Sequence, residues 1–415
     1  MKMHRFIFTV ALIGFLGSNF PLGRIGVYSR FPMIAILIVS CIILISRTRL
    51  TGFSAVLAAF YLFLTYSFVT TFWTENIWLS IFKWLLYVAV SLAFLVGGIT
   101  VAQNSSADSN PFEPLKWLLV PMMISSLIAL AAGTGWLESN FRGMSGNSNA
   151  LGASIMLTCP WLIYELKRSW NNRWRRRWLL ALSVSIVVVM LATHSRAALC
   201  AFLILPALSA RQLKVGRKVT LAYLALLALI LTYALRPEYF NIVYQSYVAK
   251  RSDNIMASRG NQMEDSWAAA KEGGIFGEGF GVSVGVSRYW EWTTFSRVSR
   301  EKGNSMLAIV EETGLVGLGF YLAVLLALYM ALRKFSRTSD ADQKFISNIA
   351  MGFFVAALVH GQFEAWFLSF GPDVSVYWAT IGMALGGMTR NYERNFRMET
   401  ASRSGLFAPA TVARG

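Results

Sequence analysis

The sequence predicts an all-α polytopic membrane protein of about twelve transmembrane helices, with one long folded loop on the outer side. Three observations predict it. Of the 415 residues, 55% are hydrophobic and only 14% are charged, against roughly 25% charged in a soluble domain. The apolar residues gather into runs close to the ~20 residues that a bilayer crossing needs. Lys and Arg concentrate in alternate short loops, as they do on the cytoplasmic side of membrane proteins. This composition excludes a disordered chain, a secreted disulfide scaffold and a soluble enzyme. A net charge of +17 would suggest nucleic acid in a soluble protein. Here the charge sits in the loops, so the expected partner is the lipid bilayer and no nucleic acid is expected.

Taken in order, apolar windows place spans at 6–22, 31–46, 52–73, 78–100, 115–133, 148–165, 178–193, 197–210, 219–235, 304–332, 345–369 and 374–389. The first span follows Lys2 and Arg5 as a signal peptide would. No convincing small-residue cleavage site follows it, so it reads as a retained helix. Residues 1–235 thus hold transmembrane helices 1–9, 236–303 a loop or cap, 304–390 transmembrane helices 10–12, and 391–415 a cytoplasmic tail expected to be disordered. No internal repeat of the transporter type is visible.

Orientation follows from the basic residues. With the N-terminus in the cytoplasm, the cytoplasmic segments hold 24 Lys and Arg and the short outer loops 4, which places both termini in the cytoplasm. The run KRSWNNRWRRR (167–177) is the strongest anchor, and its alternative reading is an anionic-lipid site. Lys83 falls inside the fourth span, one to two turns from its outer end, where snorkelling to the interface is expected. The outer loop 236–303 carries Trp267, Trp290, Trp292 and several Tyr and Phe. That is not a disordered composition. NIVYQSYV and EDSWAAAKEG within it can each form a helix with a one-sided apolar stripe, lying on the membrane.

The three cysteines (Cys41, Cys159, Cys200) all lie in apolar runs and read as small hydrophobes. With no Cys/His cluster, no metal site is expected, and the sequence calls for no cofactor. Ionisable residues at membrane spans are costly and are functional candidates by default. At or near outer helix ends these are Arg142, His194, Arg196, Arg236, Arg259, Glu311, Glu312, His360 and Glu364. Arg142 lies in FRGMSGNSNALG (141–152), where Asn147 or Asn149 is expected to cap a helix. A helix N-terminus beside an arginine also suits phosphate. Arg196 opens the eighth span. The glycines of GGIFGEGFGVSVG (273–285) lack the strand and helix of a nucleotide loop and read as a tight turn that brings backbone close to a substrate. Asn304 is expected to cap the tenth span, with Gly314, Gly317 and Gly319 allowing close helix packing. His360 and Glu364 are four apart and are expected to share one helix face.

Taken together, these pieces resemble the bacterial O-antigen ligase and O-antigen polymerase family. The resemblance rests on Arg142-Gly143 followed by Gly146-Asn147-Ser148-Asn149-Ala150 at the sixth span, and on Ser195-Arg196-Ala197 before the eighth. It rests also on an arginine in the long outer loop, and on Asn304 followed by Gly314 and Gly317. It covers roughly residues 140–375 and implies a twelve-span fold in the bacterial inner membrane with a periplasmic active face. It implies a metal-independent glycosyltransferase that takes a glycan from undecaprenyl pyrophosphate. A polymerase passes that glycan to another repeat unit; an O-antigen ligase passes it to lipid A–core. Arg196 and Arg259 would bind the pyrophosphate, with Arg142 and Asn304 beside it, since guanidiniums offer forked donors and stay charged. A chain-length regulator and a flippase are the protein partners this implies.

One departure matters. Ligases of the family carry a His immediately before the Asn of the tenth-span motif, and this chain has Gly303 there. Glycine cannot move a proton, and general-base help is worth ~10²–10⁴-fold. Glu312, His360 and Glu364 are the candidates for the role, and the expectation shifts toward a polysaccharide polymerase for O-antigen or exopolysaccharide. A lipid-linked glycan flippase is the alternative from a different class. It predicts polar residues running through mid-membrane helices, whereas the candidates cluster on the outer side.

Overall fold

The computed structural model describes residues 2–17, 23–44, 48, 50, 53–74, 76–106, 109–137, 140–209, 257–282 and 302–403. Helices dominate them: α1 (Lys2–Gly17), α2 (Gly23–Leu44), α3 (Ser54–Val69), α4 (Ile77–Gln103), α5 (Glu113–Ala131), α6 (Ser148–Thr158), α7 (Pro160–Arg168), α8 (Arg173–Thr193), α9 (Arg196–Ser209), α10 (Ala257–Gly273), α11 (Ser305–Ser336), α12 (Ala341–Gly361) and α13 (Pro372–Arg403). One two-stranded antiparallel hairpin, β1 (Trp136–Leu137) and β2 (Asn140–Phe141), precedes α6. Among the described residues, six helices are long and apolar enough to cross a membrane: α3 with its following 3-10 turn, α4, α5, α8, α11 and α12. The predicted span 219–235 and the segment NIVYQSYV lie outside the described residues.

Capping side chains set the helix starts. Asn76, Asn147, Asn172, Asn304 and Asp340 each accept backbone N–H bonds at the first turn of α4, α6, α8, α11 and α12, satisfying donors that a helix cannot satisfy itself. The sixth predicted span is two helices rather than one, because Pro160 lacks an N–H and opens α7. Half of the basic run 167–177 belongs to α8 rather than to a loop.

The tightest packing joins α4 to α13. Gly382 and Gly386 stand four apart on α13. A Cβ on either would strike the Leu95 or Ile99 carbonyl, and one on Gly98 would strike the Ala379 carbonyl. Small residues let the two backbones touch, as in membrane helix pairs generally. Around them, Trp366, Phe367, Tyr377 and Trp378 stack edge-on at 4.4–5.6 Å, each pair worth about 0.5–1.5 kcal/mol beyond its buried area.

Two helix ends differ from the sequence expectation. The span predicted at 345–369 ends at Gly361. Ser305 causes the break: its hydroxyl donates to the Glu364 carbonyl at 2.7 Å and accepts the Trp366 N–H at 3.1 Å. The last helix runs on to Arg403, through the first half of the expected disordered tail. Residues 391–403 contain neither Gly nor Pro to stop it.

Candidate functional site

At one end of the bundle the starts of α6, α9 and α11 come together. Gly152 of α6 packs on Ser195 and Ala198 at the start of α9. The Asn149 amide donates to the Glu364 carboxylate at 3.1 Å, joining α6 to the turn after α12. The Asn304 side chain caps α11 by accepting from the Met306 and Leu307 N–H groups at 2.7 and 3.1 Å. Its own amide donates to the Gln362 carbonyl and side-chain oxygen at 3.0 and 3.2 Å. Three helix N-termini thus meet in one region, each carrying a partial positive charge, with Asn147 and Asn304 taking up first-turn N–H groups at two of them.

Arg142 and Arg196 sit at two of those starts. Arg142 follows β2, its N–H donating to the Gly135 carbonyl at 2.8 Å, five residues before the α6 cap. Arg196 is the first residue of α9. Both are half-buried, and neither has a carboxylate within ion-pair distance among the described residues. His194 holds a left-handed backbone (φ 56°) at the end of α8, a conformation uncommon outside glycine. Burial and then the Arg196 charge hold its imidazole below the usual histidine pKa. Arg259 lies in α10, one turn before Met263; its side chain is outside the described residues.

A cleft of 470 Å³ opens between α10 and the start of α11, lined by Met263, Glu264, Trp267, Asn304, Met306, Leu307 and Gln362. Its volume falls within the usual range for ligand sites. Gly303, where the ligase motif has His, donates its N–H to the buried Ser266 hydroxyl at 3.1 Å and so fastens α10 to α11.

The three candidate bases separate. His360 is buried, and its Nδ1 accepts the Trp366 indole N–H at 2.9 Å. α12 ends at Gly361, but the turn continues far enough for the Glu364 N–H to donate to the His360 carbonyl at 3.1 Å, while the two side chains take different partners. Glu312 pairs with Lys302 at 2.6 Å and accepts the Gly281 N–H at 2.8 Å. Glu364 alone among the three reaches the clustered helix starts. Near it stands a group that the sequence does not single out, Asp373, in the first turn of α13. Burial and then the Glu364 charge raise its carboxyl to about 7. Asp373 Oδ1 has no hydrogen-bond partner among the described residues. In sequence Gly371-Pro372-Asp373 reads as an ordinary helix start, with proline and an acid in the first turn, so only its proximity to Glu364 marks it.

The glycine-rich segment 273–282 does not line this cleft. Gly314 (φ 70°, ψ −176°) breaks α11, which frees backbone groups on either side of it. The segment takes them up. Glu278 and Gly279 donate to the Glu311 and Glu312 carbonyls at 2.9 and 3.1 Å. Leu315 and Val316 donate to the Gly274 and Ile275 carbonyls at 3.1 and 3.2 Å. The close backbone approach expected for a substrate is therefore to α11. Lys83 does not snorkel; it is buried and donates to the Gly281 carbonyl at 2.5 Å. Gly319, expected to aid helix packing, faces open space.

Compared with known proteins, the chain matches no protein-family model and no curated protein.

Proposed function

We propose that this chain is a membrane glycan transferase of the bacterial inner membrane. It uses an undecaprenyl-pyrophosphate-linked oligosaccharide on the periplasmic face and polymerises O-antigen or exopolysaccharide repeat units. The observation that carries this reading is the gathering of three helix N-termini, with Arg142 just before one and Arg196 opening another, and with the Glu364 carboxylate bonded to Asn149 in the first turn of α6. Such a region suits a pyrophosphate leaving group next to a proton acceptor. An acceptor hydroxyl oxygen attacks the anomeric carbon, the bond from that carbon to the pyrophosphate oxygen breaks, and a carboxylate takes the hydroxyl proton. Arg142, Arg196 and Arg259 hold the charge that develops on the pyrophosphate. Gly303 supplies no base at the position of the ligase histidine, which favours polymerisation over transfer to lipid A–core.

The test is Arg196→Ala and Arg259→Ala in the native strain, with lipopolysaccharide and exopolysaccharide resolved by size. Both variants should stay in the membrane and lose long chains. Normal chain length in both sinks the reading. In a deletion strain, full-length glycan stranded on the carrier would mean a ligase, and repeat units trapped facing the cytoplasm would mean a flippase.

A further inference from the structure

The basic and tryptophan-rich start of α8 stands at the bundle end opposite the candidate site, and its function is independent of the glycan reading. Its orientation is fixed from below. The Arg175 guanidinium pairs with the buried Glu165 at 2.7 Å, and Glu165 also accepts from the Asn110 amide at 3.1 Å and the Ser169 hydroxyl at 3.3 Å. The Arg175 guanidinium therefore reaches back to the protein, although its side chain stays 55% exposed. At 3.6 residues per turn, Arg173 and Arg177 lie about 160° round the helix from it, and both are exposed. Neither has an acidic partner among the described residues.

Continuing that outward line by steps of three and four gives Leu180, Val184, Val188 and Leu191, all exposed. Beside the two arginines stand Trp174 and Trp178, one turn apart and each 72% exposed. The Arg177 guanidinium lies over the Trp174 ring at 6.0 Å. Along about 25 Å of helix the surface thus passes from guanidiniums flanked by indoles to an aliphatic stripe. Water would penalise such a stripe. A bilayer matches each level of it: phosphate to guanidinium, the carbonyl region to indole, and acyl chain to the aliphatic residues.

We propose that this face is a binding site for one anionic glycerophospholipid. Its phosphate is held in the fork between Arg173 and Arg177, and an acyl chain lies along Leu180, Val184 and Val188.

The purified full-length protein in detergent is titrated with phosphatidylglycerol and, separately, with phosphatidylethanolamine, and bound lipid is counted by native mass spectrometry. Wild-type protein should prefer phosphatidylglycerol, and the Arg173→Gln/Arg177→Gln variant should lose that preference on the order of ten-fold. Lys334→Gln/Arg337→Gln, which removes equal charge at the end of α11, should keep it. Should the double variant fail to fold, Arg177→Gln alone carries the same comparison. The proposal is overturned if the α8 variants bind phosphatidylglycerol like wild type, or if the α11 control loses as much. A lipid-free dimer that the same α8 substitutions abolish would also overturn it, by assigning the face to a second copy of the chain.

Discussion

The Asn149 side-chain amide and the Glu364 carboxylate meet at 3.1 Å, across 215 residues of sequence. This bond ties the first turn of α6 to the turn after α12. It also places a carboxylate among helix starts that otherwise collect positive potential. The strut and the proposed role of base are separable by substitution.

Glu364→Gln keeps an oxygen for the Asn149 amide and removes the proton acceptor. Transfer should fall by about 10²–10⁴-fold, the usual worth of a general base, while thermal stability changes little. Asn149→Ala, which removes the strut and leaves the carboxylate, should cost far less. The check is polymer synthesis by purified variants on lipid-linked repeat units. Full activity in Glu364→Gln would reduce Glu364 to a structural tie and leave Asp373 as the acceptor.

Gly314 carries a second expectation. Its backbone is left-handed, and a Cβ there would strike the Ile275 carbonyl. Gly314→Ala must therefore bear the cost of a positive φ with extended ψ, a conformation nearly confined to glycine, about 1–3 kcal/mol, and also push the 273–282 segment off α11. That would leave the Glu311 and Glu312 carbonyls and the Leu315 and Val316 N–H groups without partners. Each buried orphan costs about 1–3 kcal/mol. The variant should melt several degrees lower in detergent and become sensitive to protease near residue 277. An unchanged melting temperature would mean that the break does not need glycine.

These two cases show what the sequence made legible. The start of α11 was readable, because Asn304 is an N-cap whose partners are its own next residues, Met306 and Leu307. The start of α6 was readable for the same local reason, since Asn147 accepts the Asn149 N–H. The break at Gly314 was not, since the groups that stabilise it lie some 40 residues upstream. The end of α12 was masked because FEAWFLSF stays apolar after the backbone leaves the helix, Trp366 and Phe367 remaining buried. Lys83 looked like an interfacial cation because its acceptor, the Gly281 carbonyl, is not adjacent in sequence. The candidate site divides along the same line: Arg142, Arg196, Asn304 and Glu364 were visible as charged or capping groups at helix ends. Asp373 was hidden inside a normal helix-start pattern.

Asp373 gives the expectation with a definite sign in pH. Burial, and then the Glu364 charge, push its carboxyl up to about 7 in the folded protein, against 3.8 for a free aspartate side chain. The folded state therefore binds a proton that the unfolded state has released, and stability falls as pH rises from about 4 to about 7. Above 7 the full penalty is present, because the charged form is held in a buried place beside Glu364. Asp373→Asn removes the titration and keeps the shape. The variant should match wild type in melting temperature near pH 4 and exceed it at pH 8. Its glycan transfer should lose any inflection near pH 7 that wild type shows. A variant whose advantage is the same at pH 4 and pH 8 would mean that neither burial nor the Glu364 charge holds the carboxyl protonated, and the paired-carboxyl reading of the site would fall with it.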